Sequence, residues 1–420
     1  MSERVSRPAR NGADVSRRVR TPESARSDRR KPAESAHKRS GSKKKMRLFN
    51  VGLGLDMPFC LLVLVLLTIG ITMMFSASYP IAYIEHEGDS YYFLKRQIIF
   101  AIIGIAAMIG LSFFNYRIFY RFAKPILALS YFVLILVLIL PAENDIHRWI
   151  GVGSFTIQAS EITKFCIIVF FAYWGTRYFD KMQYMKYSFI PGMIVFGTTA
   201  ILLILEPHFS CTVIIFLLVL IMLYISGMDI KYFVFIGVLV GAAIAIMWMT
   251  GLLGYAMDRL DGWGKALEYT TSEMWQTTWQ TRNSLYAIGS GGLTGLGLGQ
   301  SRQKYLYLPE PQNDFVFAIV CEELGLIGAI LILILFGLLV WRGITMSRKA
   351  SDTFGKLLGI GLTAQVGLQV ILNIFVITDW LPNTGISLPF FSYGGSSLIM
   401  LLAQMGVILS VSRTAKMEKR

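Results

Sequence analysis

The sequence predicts an all-α polytopic membrane protein, with about ten transmembrane helices and a large outer loop between the seventh and eighth. Three observations predict it. The chain has 420 residues, is 54% hydrophobic and has a mean hydropathy of +0.55. Its apolar residues fall in runs near the length, about 20 residues, that a helix needs to cross a bilayer. The loops between the runs alternate in positive charge, as the positive-inside rule requires.

In chain order, residues 1–50 hold 16 Lys and Arg against 5 Asp and Glu, a net +11 of the chain's +14, with few apolar residues. That composition predicts a disordered basic cytoplasmic tail. Its basic region is too long for a cleaved signal peptide, and the apolar run after it spans a membrane. Contact with anionic lipid is the expected role. No aromatic residue except Phe49 interleaves the charges, so nucleic acid is not an expected partner. Apolar runs then predict spans at 57–78, 97–114, 122–140, 161–178, 189–205, 209–226, 231–250, 314–340, 355–378 and 387–411. Together they make a transmembrane domain over 51–413, with 251–313 as the extracytoplasmic loop and 414–420 as a second cytoplasmic tail.

Placing the N-terminal tail inside puts Arg117, Arg121, Lys124, Arg177, Lys181, Lys186, Lys231, Arg342, Arg348, Lys349 and Lys356 on inner loops. Residues 80–94, with Glu85, Glu87 and Asp89, then lie outside. Both termini become cytoplasmic. Arg148, Glu206, His208, Asp314 and the 381–396 segment gather at one outer face. Cys60, Cys166, Cys211 and Cys321 lie within spans and form no CxxC pair, so they read as small buried hydrophobes. With four scattered His, a His/Cys metal site is not expected.

Several segments could carry chemistry. Asp314 stands where a long polar loop meets an apolar helix, and a charge at a membrane boundary is a functional candidate. The purely structural reading has Asn313 or Asp314 capping a helix from Phe315, with Glu322 and Glu323 solvated. The outer loop of 63 residues is long for a connector, and its middle, with Trp263, Trp275 and Trp279, can lie in the membrane interface. Gly289–Gly299 carries six glycines in eleven residues and is followed by Arg302 and Lys304. It reads as a flexible hinge, or else as backbone that approaches a phosphate beside two cations. Arg148-Trp149-Ile150 sits at an outer helix end, where Arg can grip a phosphate. Glu161 and Lys164 share a helix face, either as a mutual pair or with Lys164 turned to a phosphate. Glu206-Pro-His208 forms a turn that Pro207 would open, exposing the carboxylate. Gln365, Gln369 and Asn373 recur on one face of the ninth span as interhelical hydrogen-bonding groups. Pro389, Gly394-Gly395 and Ser396-Ser397 interrupt the start of the last span, as where a helix lines a cavity.

Leu308-Pro-Glu-Pro-Gln-Asn-Asp-Phe-Val-Phe-Ala with Glu322-Glu-Leu-Gly325, and Leu388-Pro-Phe-Phe-Ser-Tyr-Gly-Gly-Ser-Ser397, resemble the SEDS family (FtsW, RodA and SpoVE). Arg148-Trp149-Ile150, Gln158-Ala-Ser-Glu161 with Lys164, and Ala287-Ile-Gly-Ser-Gly-Gly-Leu293 agree with it, and the resemblance runs from about residue 55 to 411. The chain departs from the family pattern at Ala159, Asn313 and His208, the last replacing a common Asp. Leu381-Pro-Asn-Thr-Gly-Ile and the basic tail are most like the FtsW/SpoVE branch.

The resemblance implies an inverting peptidoglycan glycosyltransferase in the bacterial cytoplasmic membrane. It would polymerise lipid II at the outer face for septal wall synthesis, with undecaprenyl diphosphate as leaving group. Its implied partners are a class B penicillin-binding protein and other membrane proteins of the division machinery. Asp314 matches the family's essential aspartate and is the expected general base. Arg148, Lys164, Arg302 and Lys304 are candidates for the diphosphate, with Glu161, Glu206 and Ser392 as further substrate-site candidates. A divalent cation, Mg2+ or Mn2+, would suit the diphosphate. The alternatives are a flippase for the lipid-linked precursor, a non-catalytic scaffold, or an elongation or sporulation role.

Overall fold

The computed structural model describes residues 54–140, 149–152, 155–206, 208–249, 262–268 and 272–417. The expected basic tail and Arg148 lie outside the described residues.

The chain forms the expected bundle. Six helices are long and apolar enough to cross a membrane: α1 (Met57–Glu85), α2 (Tyr92–Phe113), α3 (Arg117–Ile139), α10 (Val316–Arg348), α11 (Thr353–Ile377) and α12 (Gly395–Met417). The apolar helices α5 (Phe189–Leu205), α6 (Phe209–Ile225) and α7 (Ile230–Met249) follow the predicted fifth to seventh spans. Helix α4 (Ala159–Arg177) runs through the bundle interior, with Ile167, Ile168 and Val169 fully buried. It shows no amphipathic stripe because protein surrounds it.

Two aspartates start helices and also tie them together. Asp56 accepts from Phe59 N at 3.3 Å to cap α1, and accepts from Nε and Nη2 of Arg342 of α10 at 3.1 and 2.9 Å. Asp352 caps α11 through Gly355 N at 2.6 Å and takes Arg117 Nε of α3 at 2.7 Å. Each carboxylate thereby satisfies orphan N–H groups and a cation together.

Three expectations change. The segment 149–158 is not a helix end. It is a hairpin of β1 (Trp149–Val152) and β2 (Phe155–Gln158), with Trp149 opposite Gln158, and it leads directly into α4. The last helix starts at Gly395 rather than 387, because residues 388–394 form a turn held by hydrogen bonds from Phe391 N and Ser392 N to the Leu388 carbonyl. The described part of the outer loop contains α8 (Ser272–Thr277) and α9 (Trp279–Ser290). Trp275 is not simply an interface anchor, because the buried Arg282 stacks on its ring at 3.9 Å.

The glycine-rich stretch is neither a hinge nor a phosphate cradle. It docks on a kink in α10, where Gly325 adopts φ 65°, ψ −172°. That region of backbone space is essentially reserved for glycine. Leu296 N and Gly297 N donate to the carbonyls of Glu322 and Glu323, at 3.0 Å each, and Leu326 N and Ile327 N donate back to Gly292 and Leu293 at 2.9 and 3.1 Å. The kink frees α10 groups that the loop then pairs. A Cβ on Gly325 would lie 2.2 Å from Gly295 N, so the two backbones touch. Gly325→Ala should lower stability by about 2 kcal/mol or more. A thermal melt of the purified protein should therefore shift down clearly, whereas Gly337→Ala, with nothing within 4 Å of its new methyl, should not shift it.

Candidate active site

A cavity of about 520 Å³ opens among α2, the β-hairpin, α4, α6, α11 and the turn before α12. Its lining includes Asp314, Glu161, Lys164, His208, Arg96 and Tyr393. The structure thus brings together Asp314 and the Glu161–Lys164 pair, which the sequence separates by about 150 residues.

The capping position of α10 is Phe315, which makes no side-chain cap bond, and Asp314 stands one residue before it. Asn373 and Gly385 border the aspartate. Asn373 of α11 donates from one amide nitrogen to the Asp314 carbonyl at 2.8 Å and to the Ile386 carbonyl at 2.6 Å. This ties α11 both to the head of α10 and to the 385–387 segment of the cavity wall, so the expected interhelical role of Asn373 extends to the cavity. Gly385, at φ +63°, passes so close that a Cβ there would lie 2.9 Å from Asp314 Oδ2. Just upstream, Glu310 accepts from Gln312 Nε2 and Asn313 Nδ2 at 2.8 and 2.9 Å and shapes the turn. Burial, and then Glu85 nearby, pushes the Glu310 carboxyl above its ordinary range.

Lys164 Nζ donates to Glu161 Oε1 at 2.7 Å, and the two residues are only 2% and 8% exposed. Each partner answers the other inside the wall, where either one alone would be costly to bury. The mutual-pair reading is therefore correct, and it coexists with a place on the cavity wall.

Other candidates are placed elsewhere. Lys304 is buried away from the cavity, where its Nζ pairs with Glu323 at 2.9 Å and donates to the Ser76 hydroxyl at 3.2 Å. Glu323 also accepts from Ser76 Oγ at 2.7 Å, and Glu322 takes the Ser301 hydroxyl with Arg302 N at 3.0 Å. Glu322 and Glu323 are thus buried structural anchors and not solvated. Arg302 contributes its backbone to that anchor and turns an exposed side chain away from the cavity lining. Glu206 is fully buried rather than exposed, while His208 reaches the cavity. Ser392 is buried behind the wall, where its hydroxyl accepts from Leu388 N at 2.7 Å and closes the turn.

Sequence reasoning missed Arg96 and Tyr393. Burial pushes the Tyr393 phenol above its usual range, and the nearby Arg96 acts in the opposite direction. Gln97, next to Arg96, donates to Ser392 O at 3.3 Å and accepts from Gly394 N at 3.4 Å, which fastens α2 to the turn carrying Tyr393.

Among the described residues no three His, Cys, Asp or Glu side chains group as a metal cage. The cavity lining has two carboxylates, and Glu161 is engaged by Lys164. That donor set fits a hard cation held by one carboxylate together with water and substrate phosphate.

Residues 57–417 match the family model described as cell cycle protein, FtsW/RodA/SpoVE. Stage V sporulation protein E of Bacillus subtilis (strain 168) is 38% identical over 367 residues, which cover 86% of this chain and 98% of that protein. The probable peptidoglycan glycosyltransferase FtsW of Trichlorobacter lovleyi is 33% identical over 365 residues, covering 86% and 94%. The fold is that of the rod shape-determining protein RodA of Thermus thermophilus, with a TM-score of 0.61 and 24% identity over 86% of this chain and 97% of that one. A chain of a peptidoglycan synthase complex superposes at 0.69 with 23% identity, covering 87% and 99%. The chain belongs to the FtsW/RodA/SpoVE family, on its FtsW/SpoVE branch.

The Lys304 assignment gives a direct test. Lys304→Met leaves Glu323 buried without its cation and should cost about 3 kcal/mol or more. Arg302→Ala, at an exposed side chain, should change stability by less than about 0.5 kcal/mol. Thermal unfolding in detergent reads both.

Proposed function

We propose that this protein is a peptidoglycan glycosyltransferase that polymerises lipid II from the cavity holding Asp314, at the outer face of the bacterial cytoplasmic membrane. The observation that carries this reading is the convergence of Asp314, Arg96 and the Glu161–Lys164 pair on one cavity. The names of the relatives, a probable peptidoglycan glycosyltransferase FtsW among them, support the activity. The loop charges support the orientation, with both termini cytoplasmic. Septal wall synthesis is the proposed setting, with sporulation as the alternative.

The reaction transfers a sugar from a lipid diphosphate. The 4-hydroxyl oxygen of the acceptor GlcNAc bonds to C1 of the donor MurNAc as the C1–O bond to the diphosphate breaks. The bonding pair leaves with undecaprenyl diphosphate, and Asp314 takes the hydroxyl proton. In-line displacement inverts C1 and needs no second carboxylate as nucleophile. In this assignment Asn373 and Gly385 hold Asp314 in place. Lys164, held by Glu161, supplies fixed positive potential where charge develops on the leaving group. A divalent cation, Mg2+ or Mn2+, would be held by Asp314 and diphosphate oxygens and would neutralise the same charge.

The proposed partners are a class B penicillin-binding protein, which would cross-link the nascent glycan, and other membrane proteins of the division machinery. The fold shared with a chain of a complex that coordinates polymerization and crosslinking supports a transpeptidase partner. The lining charges gather at one mouth of the bundle, so surface chemistry is favoured over transport.

Glycan polymerisation from lipid II, measured with a transpeptidase-inactive partner, tests the assignment. Asp314→Asn should cut kcat by about 100-fold or more while leaving folding intact; wild-type turnover in that variant would remove Asp314 from the chemistry. Gly385→Ala, which drives a methyl toward Asp314 Oδ2, should lower kcat by at least about tenfold with a smaller effect on KM; an unchanged kcat would mean that this contact does not set the carboxylate's position.

A further inference from the structure

We infer that a second groove, lined by Trp263, Trp380 and Asp379 at the outer end of α11, binds the glycan strand as it leaves the cavity. This rests on the reading of the protein as a lipid II polymerase and adds the place where its product runs.

The groove has a volume of about 620 Å³, and among the described residues it shares no lining residue with the cavity. Trp263, Leu267 and Glu268 of the outer loop form one part of it, and Thr378, Asp379 and Trp380 after α11 form another. Trp380 and Trp263 are 73% and 45% exposed. A pyranose ring presents a face of C–H groups and a rim of hydroxyls. An indole offers that face a flat apolar surface with a negative π cloud, and a carboxylate accepts from the rim. The groove supplies both kinds of group together.

It is also built in place. Trp263 Nε1 donates to the Asp379 carbonyl at 3.2 Å. The Trp380 ring stacks on Phe375, with centroids 6.1 Å apart and planes at 27°. Arg282 Nε donates to the Ala266 carbonyl at 2.7 Å, and Ser284 Oγ to the Ile377 carbonyl at 2.8 Å, so α9 holds both parts. Asp379 itself adopts φ 60°, a strained conformation for a residue with a side chain, of the kind found at ligand sites. Rings held beforehand lose less freedom when a ligand binds.

The occupant follows from position and charge. Gly385, which borders Asp314, follows Trp380 by five residues. The two Cα atoms are therefore at most about 18 Å apart. A strand of a few sugar rings spans that distance. Anchoring at the membrane interface is the other role open to exposed tryptophans. The lining opposes it: among the described residues it carries two carboxylates, Asp379 and Glu268, and no cation, so it repels an anionic lipid surface.

The test uses the purified full-length protein and measures its affinity for a soluble β-1,4-linked GlcNAc hexamer, a neutral mimic of the product's sugar backbone. Trp380→Ala should weaken binding about tenfold or more. Trp380→Phe, which keeps an aromatic face, should lose less, and so should Asp379→Asn. Trp341→Ala, at an exposed tryptophan outside the groove, should bind as the wild type does. No binding by the wild type overturns the inference, as does wild-type affinity in Trp380→Ala or an equal loss in Trp341→Ala. A loss in Asp314→Asn with none in Trp380→Ala would put the sugar in the cavity and overturn it too. So would a Trp380→Ala protein that keeps its sugar affinity but releases a class B penicillin-binding protein, because the groove would then be a protein contact. Polymerisation of lipid II assayed in parallel separates the two readings. Hexamer binding that depends on Trp380, with no glycan made by the wild type, overturns the polymerase and leaves a glycan-binding groove standing. Glycan made by a protein whose sugar affinity ignores Trp380 does the reverse.

Discussion

Two adjacent carboxylates, Glu322 and Glu323, are buried in the second turn of α10, and much of the structure near the cavity follows from satisfying them. They cannot be left unmatched in a membrane protein's interior. The chain meets this requirement by kinking α10 at Gly325 and folding the glycine-rich loop onto the kink. Ser301, Lys304 and the backbone of Arg302 and Gln303 come from that loop, and Ser76 comes from α1. The loop then runs directly into the turn that presents Asp314. Residues that read as a flexible hinge, or else as a phosphate-binding loop, are thus a brace that fixes where Asp314 emerges.

Around the cavity the same rule produces the opposite result. Glu161 pairs with Lys164 and fixes where the lysine sits within the wall. Arg96 lies over the Tyr92 ring, and Asp314 is bordered by Asn373 and by the segment at Gly385. A cation and a carboxylate kept in position across one cavity are the two charges that glycosyl transfer from a diphosphate requires, one for the leaving group and one for the proton.

Much of this was legible in the sequence. Span positions follow from apolar run length, and the bundle matches them within a few residues at most ends. Asp314 stood out because it is a charge at a helix boundary inside a specific motif. Lys304, Arg302, Glu206 and Ser392 were misplaced for one reason: spacing shows that a polar residue exists, while tertiary packing decides whether it faces a cavity or a buried partner. Ser392 turns back to its own backbone, and Lys304 turns to Glu323 nineteen residues away. The strand pair was hidden because two strands of four residues are too short for a periodic signal. Arg96 did leave a trace. Lys95-Arg96 puts two cations at the outer end of a span, against the charge bias that orders the other loops.

The account's central claim is that lipid-linked diphosphate sugar binds and reacts in the cavity between Arg96 and Asp314. The most direct measurement is an experimental structure of the Asp314→Asn protein with lipid II bound. The account predicts a diphosphate against Arg96, with the acceptor hydroxyl within about 3 Å of residue 314. A lipid headgroup resolved at another face of the bundle, with this cavity empty, would contradict it.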